Sequence, residues 1–260
     1  MIIDFHAHVS LEAFGSVTRL QKEYQRAGID LGVLVPGGMI DVRRMTKYVT
    51  GEIVAEHPVP RNDLVETIVA KGRQFAGFFC ADPHQGRAVV DDFERALTRG
   101  FSGLKLAPIV HRFSFSSPVV GALLDVAERI GCPVYAHTVF SAAASTRKFG
   151  YLASQHPTIP FVIGHMGFGP ADAEAVELAV AHDNVFLETS GASFVILEEA
   201  LRAAGAGKLI FGSEFPMQNP SVEMRKIELL NVTSTAMACV LGGNAAALLR
   251  LDGWQTKEAS

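Results

Sequence analysis

Met1-Ile2-Ile3-Asp4-Phe5-His6-Ala7-His8 is a short apolar run that closes on His-x-His. In an extended strand, residues i and i+2 point to one side. His6 and His8 can therefore converge on a single metal ion, while Ile2 and Asp4 anchor the same strand. Outward from this stretch, apolar runs of strand length recur at 2–5, 32–35, 75–80, 103–106, 134–136, 161–163, 185–187 and 209–211. Segments with helical apolar spacing lie between them, such as Asp91-Asp92-Phe93-Glu94-Arg95-Ala96-Leu97 and Val119-Val120-Gly121-Ala122-Leu123-Leu124-Asp125-Val126-Ala127. Ser117-Pro118 reads as a helix start and Gly131 as its stop, and Arg99-Gly100 ends the helix before it. Eight strands alternating with helices predict an α/β fold, a (β/α)8 TIM barrel.

No linker or shift of composition divides the 260 residues, so one domain is expected over 1–260. Residues 36–60 begin with Pro36-Gly37-Gly38 and end with His57-Pro58-Val59-Pro60. That is too long for a simple connection after the second strand, and it predicts a small helical insertion over the barrel mouth. The tail at 256–260 is expected to fray.

Lys plus Arg number 23 against 27 for Asp plus Glu, a net charge of −4, and the basic residues are scattered. Nucleic acid is thereby excluded as an expected partner. Cys80, Cys132 and Cys239 are far apart and set among apolar neighbours, which fits buried thiols in a reducing compartment. No basic-then-apolar leader and no apolar run of membrane-spanning length is present, so the expectation is a cytoplasmic protein without a membrane partner. Gly37-Gly38 lacks a dinucleotide fingerprint, and Ser16, Ser141 and Ser213 lack a nucleophile elbow.

Barrel chemistry belongs at the C-terminal ends of the strands, and the polar residues there form a short series. His6 and His8 follow the first run, Asp82 the third, His137 the fifth, His165 the sixth, Glu188 the seventh and Glu214 the eighth, with Lys105 inside the fourth. Imidazoles from several strands, joined by a carboxylate, have the composition of a divalent metal site. Glu214 can ligate the ion, act as a base, or both. His165 can ligate or stand beside the metal and polarise the substrate, and Gly164 and Gly167 permit close approach to the chain there. Lys105 can hold a substrate carboxylate or pair with an acid, and one metal is favoured over two. His84, His111 and Arg112 lie in loops where they could bind an anionic substrate, and Glu188 lines or backs the pocket.

The motifs Ile3-Asp4-Phe5-His6-Ala7-His8, Gly103-Leu104-Lys105-Leu106-Ala107-Pro108, Tyr135-Ala136-His137-Thr138, Ile163-Gly164-His165-Met166-Gly167, Phe211-Gly212-Ser213-Glu214-Phe215-Pro216 and Gly243-Asn244-Ala245-Ala246-Ala247-Leu248-Leu249 occur in order over nearly the whole chain. Together they resemble the amidohydrolase superfamily, in the branch containing aminocarboxymuconate-semialdehyde decarboxylase and lactone-hydrolysing relatives. The resemblance implies a distorted barrel with one divalent metal, usually zinc, and His6, His8 and His137 as ligands. It also implies His165 as a catalytic residue, with Glu214 in place of the usual Asp as ligand or base. Substrates of relatives are small carboxylated or aromatic-derived compounds, and relatives are often dimers or larger homo-oligomers. Two positions depart from the pattern: Glu214 adds a methylene, and Ala107 stands where His commonly precedes Pro.

The leading expectation is hydrolysis of a small carboxylated ester, lactone or amide by a metal-activated water, with Glu214 or His165 taking the proton. Lys105, His111, Arg112 and Glu188 are the candidate substrate-binding residues. The alternative is non-oxidative decarboxylation of a small unsaturated or aromatic acid. A third reading is a metal-binding protein that has lost turnover at Glu214.

Overall fold

The computed structural model describes residues 1–36, 60–72 and 74–251, with residues 44, 47, 50, 52 and 53 between the first two segments. The expected insertion at 36–60 and the tail at 256–260 therefore lie almost wholly outside the described residues.

Eight parallel strands run in sequence order around one sheet: β1 (Ile3–Val9), β2 (Leu31–Pro36), β3 (Phe75–Ala81), β4 (Phe101–Leu106), β5 (Val134–Ala136), β6 (Phe161–Ile163), β7 (Val185–Glu188) and β8 (Leu209–Ile210). Each leads to a helix: α1 (Val17–Ala27), α2 (Asn62–Val69), α3 (Arg87–Leu97), α4 (Pro118–Ile130), α5 (Thr146–Gln155), α6 (Ala173–Ala181), α7 (Phe194–Ala203) and α8 (Pro220–Glu228). This is the (β/α)8 barrel that the alternation predicts. β8 is only two residues long, and backbone bonds around it close the ring. Phe5 N donates to Phe211 O at 2.9 Å, Glu214 N to His6 O at 2.6 Å and His8 N to Phe215 O at 2.7 Å.

Local sequence explains the element ends. Ser117 Oγ accepts from Val119 N, Pro118 occupies the first turn, and Gly131 ends α4 at φ 70°, as Ser-Pro and Gly require. The helix before it stops at Leu97, two residues short of the expected Arg99-Gly100.

β1 departs from the simple alternation. Asp4 pairs with Gly32 and Ala7 with Leu34, so β1 carries one extra residue there. Such a bulge inverts the inward and outward sense of everything beyond it. Ile3 and Phe5 pack inside the barrel with Phe78, Tyr135 and Val162, whereas Ala7 and Val9 join the layer between sheet and helices. His6 and His8 thus face inward together, as their i, i+2 spacing predicts, although Asp4 faces outward.

Asp4 instead binds the barrel seam from outside. It accepts from Tyr24 Oη at 2.8 Å, from Ser213 N at 2.8 Å, from Ser213 Oγ and from His6 N at 3.1 Å. Burial pushes its carboxyl up to about 7, against the lowering effect of those four bonds.

Two apolar layers result. The larger lies between sheet and helices and includes Phe79, Phe93, Phe149 and Leu123. The smaller fills the barrel beneath the mouth with inward residues of β1, β2, β3, β5, β6 and β8 and is closed from below by Ala245 and Leu249. Each fully buried Phe in these layers contributes roughly 1.5–3 kcal/mol. Cys80, Cys132 and Cys239 are free thiols, the first two buried. Among the described residues, no helix is long and apolar enough to cross a membrane.

Candidate metal centre

The two inward imidazoles of β1 meet edge to edge, with His6 Nε2 3.0 Å from His8 Nε2. His137 follows β5 and His165 follows β6, their rings 4.4 Å apart, and His6, His137 and His165 each offer a ring nitrogen within 4.8 Å of the others. Glu214, after β8, places Oε1 3.1 Å from His165 Nε2. His6, His8, His137, His165 and Glu214 are therefore brought together.

What lies behind the rings determines which nitrogens face the opening. Tyr135, in β5, donates its hydroxyl to Glu188 Oε2 at 2.9 Å. A phenol that donates once can accept twice, and its oxygen lies 2.8 Å from His6 Nδ1 and 3.2 Å from His137 Nε2. With protons on those two nitrogens, lone pairs remain at His6 Nε2 and His137 Nδ1. His165 Nδ1 donates to Ser190 O at 2.9 Å, with Ser190 Oγ at 3.0 Å, so its Nε2 points to Glu214. A ring nitrogen bound from behind fixes the tautomer and orients the other nitrogen as a ligand.

Glu188 organises this layer. It is fully buried, and its Oε2 accepts from Tyr135, from Ser190 Oγ at 3.0 Å and from His165 N at 3.2 Å, while Oε1 accepts from Ser190 N at 2.6 Å. His6 Nδ1 is 3.4 Å from the same carboxylate.

The electrostatics favour neutral imidazoles. Burial, then the Lys105 amine, holds His6 and His137 well below the usual range and lowers His8 to about 4. His165 behaves oppositely. Burial pulls it down, but Glu214, Glu188 and the Ser190 carbonyl outweigh burial and hold it above the ordinary value. The ring nitrogens of His6, His137 and His165, within 4.8 Å of one another, with His8 Nε2 3.0 Å from His6 Nε2, fit a divalent cation. Nitrogen ligands about 2.0–2.1 Å from one ion are separated by about 3 Å. The donor set of imidazole and carboxylate is also one that divalent transition ions accept.

Backbone conformation is unusual at the same place. His165, Met166 and Glu214 have φ of 57°, 56° and 53°, a region that costs non-glycine residues on the order of 1 kcal/mol or more each. Gly164 and Gly167 do not leave empty space. A Cβ on Gly164 would stand 2.6 Å from His137 Cδ2 and 2.7 Å from Tyr135 Oη, and Gly167 adopts φ 108° beside Asp172.

Lys105 lies inside the barrel at 1 % exposure, its Nζ 3.6 Å from the centroid of the Tyr135 ring and with no hydrogen-bond acceptor among the described residues. Burial pulls its amine down to about 7, against the opposing pull of Cys80, Glu188 and Glu214. His84 Nε2 contacts His111 O at 2.7 Å, which ties the loop after β3 to the turn after β4. His111 is buried, whereas Arg112 is exposed at φ 51°. Asp82 caps the turn after β3 by accepting from His84 N at 3.0 Å.

Tyr135 and Ser190 join the site although their sequence context alone reads as strand core and loop. Tyr135 stands two before His137 and Ser190 two after Glu188, so period-2 spacing from a polar strand end was the available signal.

Comparison with known proteins assigns the chain to a family. The profile described as Amidohydrolase matches residues 3–251. No curated protein sequence matches the chain. Solved structures share the fold: a TIM-barrel protein from Bordetella bronchiseptica superposes with a TM-score of 0.76 at 18% identity, covering 97% of this chain and 99% of that one. A 2,6-dihydroxybenzoate decarboxylase from Rhizobium gives 0.69 at 18%, covering 97% and 98%. A dihydroxybenzoic acid decarboxylase from Polaromonas, with bound manganese and the inhibitor 2-nitroresorcinol, gives 0.71 at 17%, covering 96% and 97%. A barrel whose strand ends gather four histidines and a carboxylate, matched by that profile over nearly its full length, belongs to the amidohydrolase family.

Proposed function

We propose that this chain is a metal-dependent decarboxylase of a small aromatic or unsaturated carboxylic acid. The observation that carries the reading is Lys105, a buried amine beneath the imidazole cluster with no acceptor among the described residues. A buried cationic group without a partner is costly, and an anionic substrate supplies one. The decarboxylase fold relatives support this alternative over the hydrolysis favoured from sequence.

In this reading His6, His8 and His137 hold one divalent ion, with Glu214 and His165 facing it. Imidazole with carboxylate suits zinc, and the manganese of the Polaromonas relative makes that ion the competitor. When bound, the ion supplies Lewis-acid polarisation of a substrate oxygen. Lys105 holds the carboxylate, and Arg112 at the rim draws the anion in. Glu188 sets the rings from behind through Tyr135 and Ser190 and does not touch substrate. Carbon dioxide departs as the C–C bond breaks and its electron pair stays on carbon. That carbon takes a proton from His165 Nε2, whose charge Glu214 Oε1 balances from 3.1 Å.

Product analysis tests the reading. Metal-loaded protein is incubated with hydroxylated benzoic acids, small unsaturated carboxylic acids and small lactones in 18O-water. Carbon dioxide release without 18O in the organic product is expected. Lactone opening with 18O incorporation and no carbon dioxide would establish hydrolysis instead.

A further inference from the structure

The turn after β7 that carries Ser190 is held from outside the site. Glu223, on α8, is 3 % exposed, and its Oε2 accepts from Gly191 N at 3.0 Å. Lys226, one turn further on, is 2.6 Å from the same oxygen and donates to Ala192 O at 3.0 Å. The two side chains thus grip both sides of a turn that Gly191 makes at φ 68°. Inside the barrel the same turn is fixed by Ser190 N and Oγ on Glu188. Between these two carboxylates sits Ser190 O, the acceptor of His165 Nδ1 at 2.9 Å.

We propose that Glu223 is a positioning residue for His165, acting through the Gly191 amide and the Ser190 carbonyl. A carbonyl can aim an imidazole only if the backbone that carries it is fixed, and Ser190 is flanked by two peptide units that can each be held. Glu188 holds the Ser190 amide; Glu223 holds the amide of Gly191, which belongs to the same peptide unit as Ser190 O. The buried carboxylate of α8 is accounted for in this way, whereas an ion pair with Lys226 alone would not require it to face the loop. The inference deepens the function proposed above, in which His165 is the proton donor.

The test needs neither metal nor substrate, so it stands or falls separately from the decarboxylase reading. Protein labelled with 15N-histidine and freed of metal by chelation is examined by NMR, with His165 assigned by loss of its signals in His165→Gln. In the parent, the His165 Nδ1 proton is expected as a hydrogen-bonded signal protected from water exchange. Glu223→Leu removes the acceptor for Gly191 N and should abolish that signal. Glu223→Gln loses the same charge opposite Lys226 but keeps an acceptor oxygen, and should retain it. If Glu223→Leu does not fold, Glu223→Leu/Lys226→Met takes its place without the unpaired ammonium. A signal retained in the leucine variant, or lost in both leucine and glutamine variants, overturns the proposal.

Discussion

At the scale of single residues, one phenol decides how three side chains are used. Tyr135 accepts from His6 Nδ1 and His137 Nε2 while donating to Glu188. Tyr135→Phe keeps the ring under Lys105 and removes only the oxygen. Divalent-metal affinity is expected to fall roughly 10–100-fold, measured by competition with a chromophoric chelator. Glu214→Gln leaves the imidazoles in place and removes the charge beside His165 Nε2. Turnover is expected to drop about 10²–10⁴-fold, with metal stoichiometry followed in the same samples to separate loss of the ion from loss of proton transfer. The histidines and Glu214 were legible in sequence because polar residues interrupt apolar runs at barrel strand ends. Tyr135 was not, because an aromatic in an apolar strand reads as core. Its partners come from β1 and β7, 129 and 53 positions away.

At the scale of elements, the barrel's mouth depends on two local irregularities. The extra residue in β1 turns His6 and His8 inward, and Gly164 leaves room for the ring of His137 and the hydroxyl of Tyr135. Gly164→Ala would put a methyl group 2.6 Å from His137 Cδ2. Overpacking of this kind costs about 1–3 kcal/mol; a lower urea midpoint and weakened metal binding are both expected, read from unfolding curves and the chelator competition. Strands and helices were legible where local chemistry specifies them: 134–136 and 161–163 match β5 and β6, and the Ser117 and Gly131 caps delimit α4. The far end of β1 was not, because its pairing beyond Phe5 is set by β2 and by backbone bonds to residues 211–215. A bulge leaves no mark in a pattern of apolar and polar residues.

At the scale of the whole molecule, the barrel retains a buried amine whose cost varies with pH. Lys105 ionises near 7 when folded and near the ordinary 10.5 when unfolded. Below pH 7 both states carry the proton and the folded state bears the full penalty. Between 7 and 10.5 the unfolded chain binds more protons, so stability rises with pH, by at most about 1.4 kcal/mol per unit from this group. In metal-free protein, the difference in unfolding free energy between parent and Lys105→Met should therefore shrink steadily from pH 7 to 9. A difference independent of pH would place the charge elsewhere. The site's central property is the convergence of ring nitrogens from β1 and from the loops after β5 and β6, which the proposed function assigns to one cation. Equilibrium dialysis of chelator-stripped protein against zinc and manganese, followed by elemental analysis, measures it directly. One divalent ion per chain in the parent, and none retained at the same free metal concentration by His6→Ala or His137→Ala, is the predicted result. No bound ion in the parent, or equal binding by the histidine variants, would contradict it.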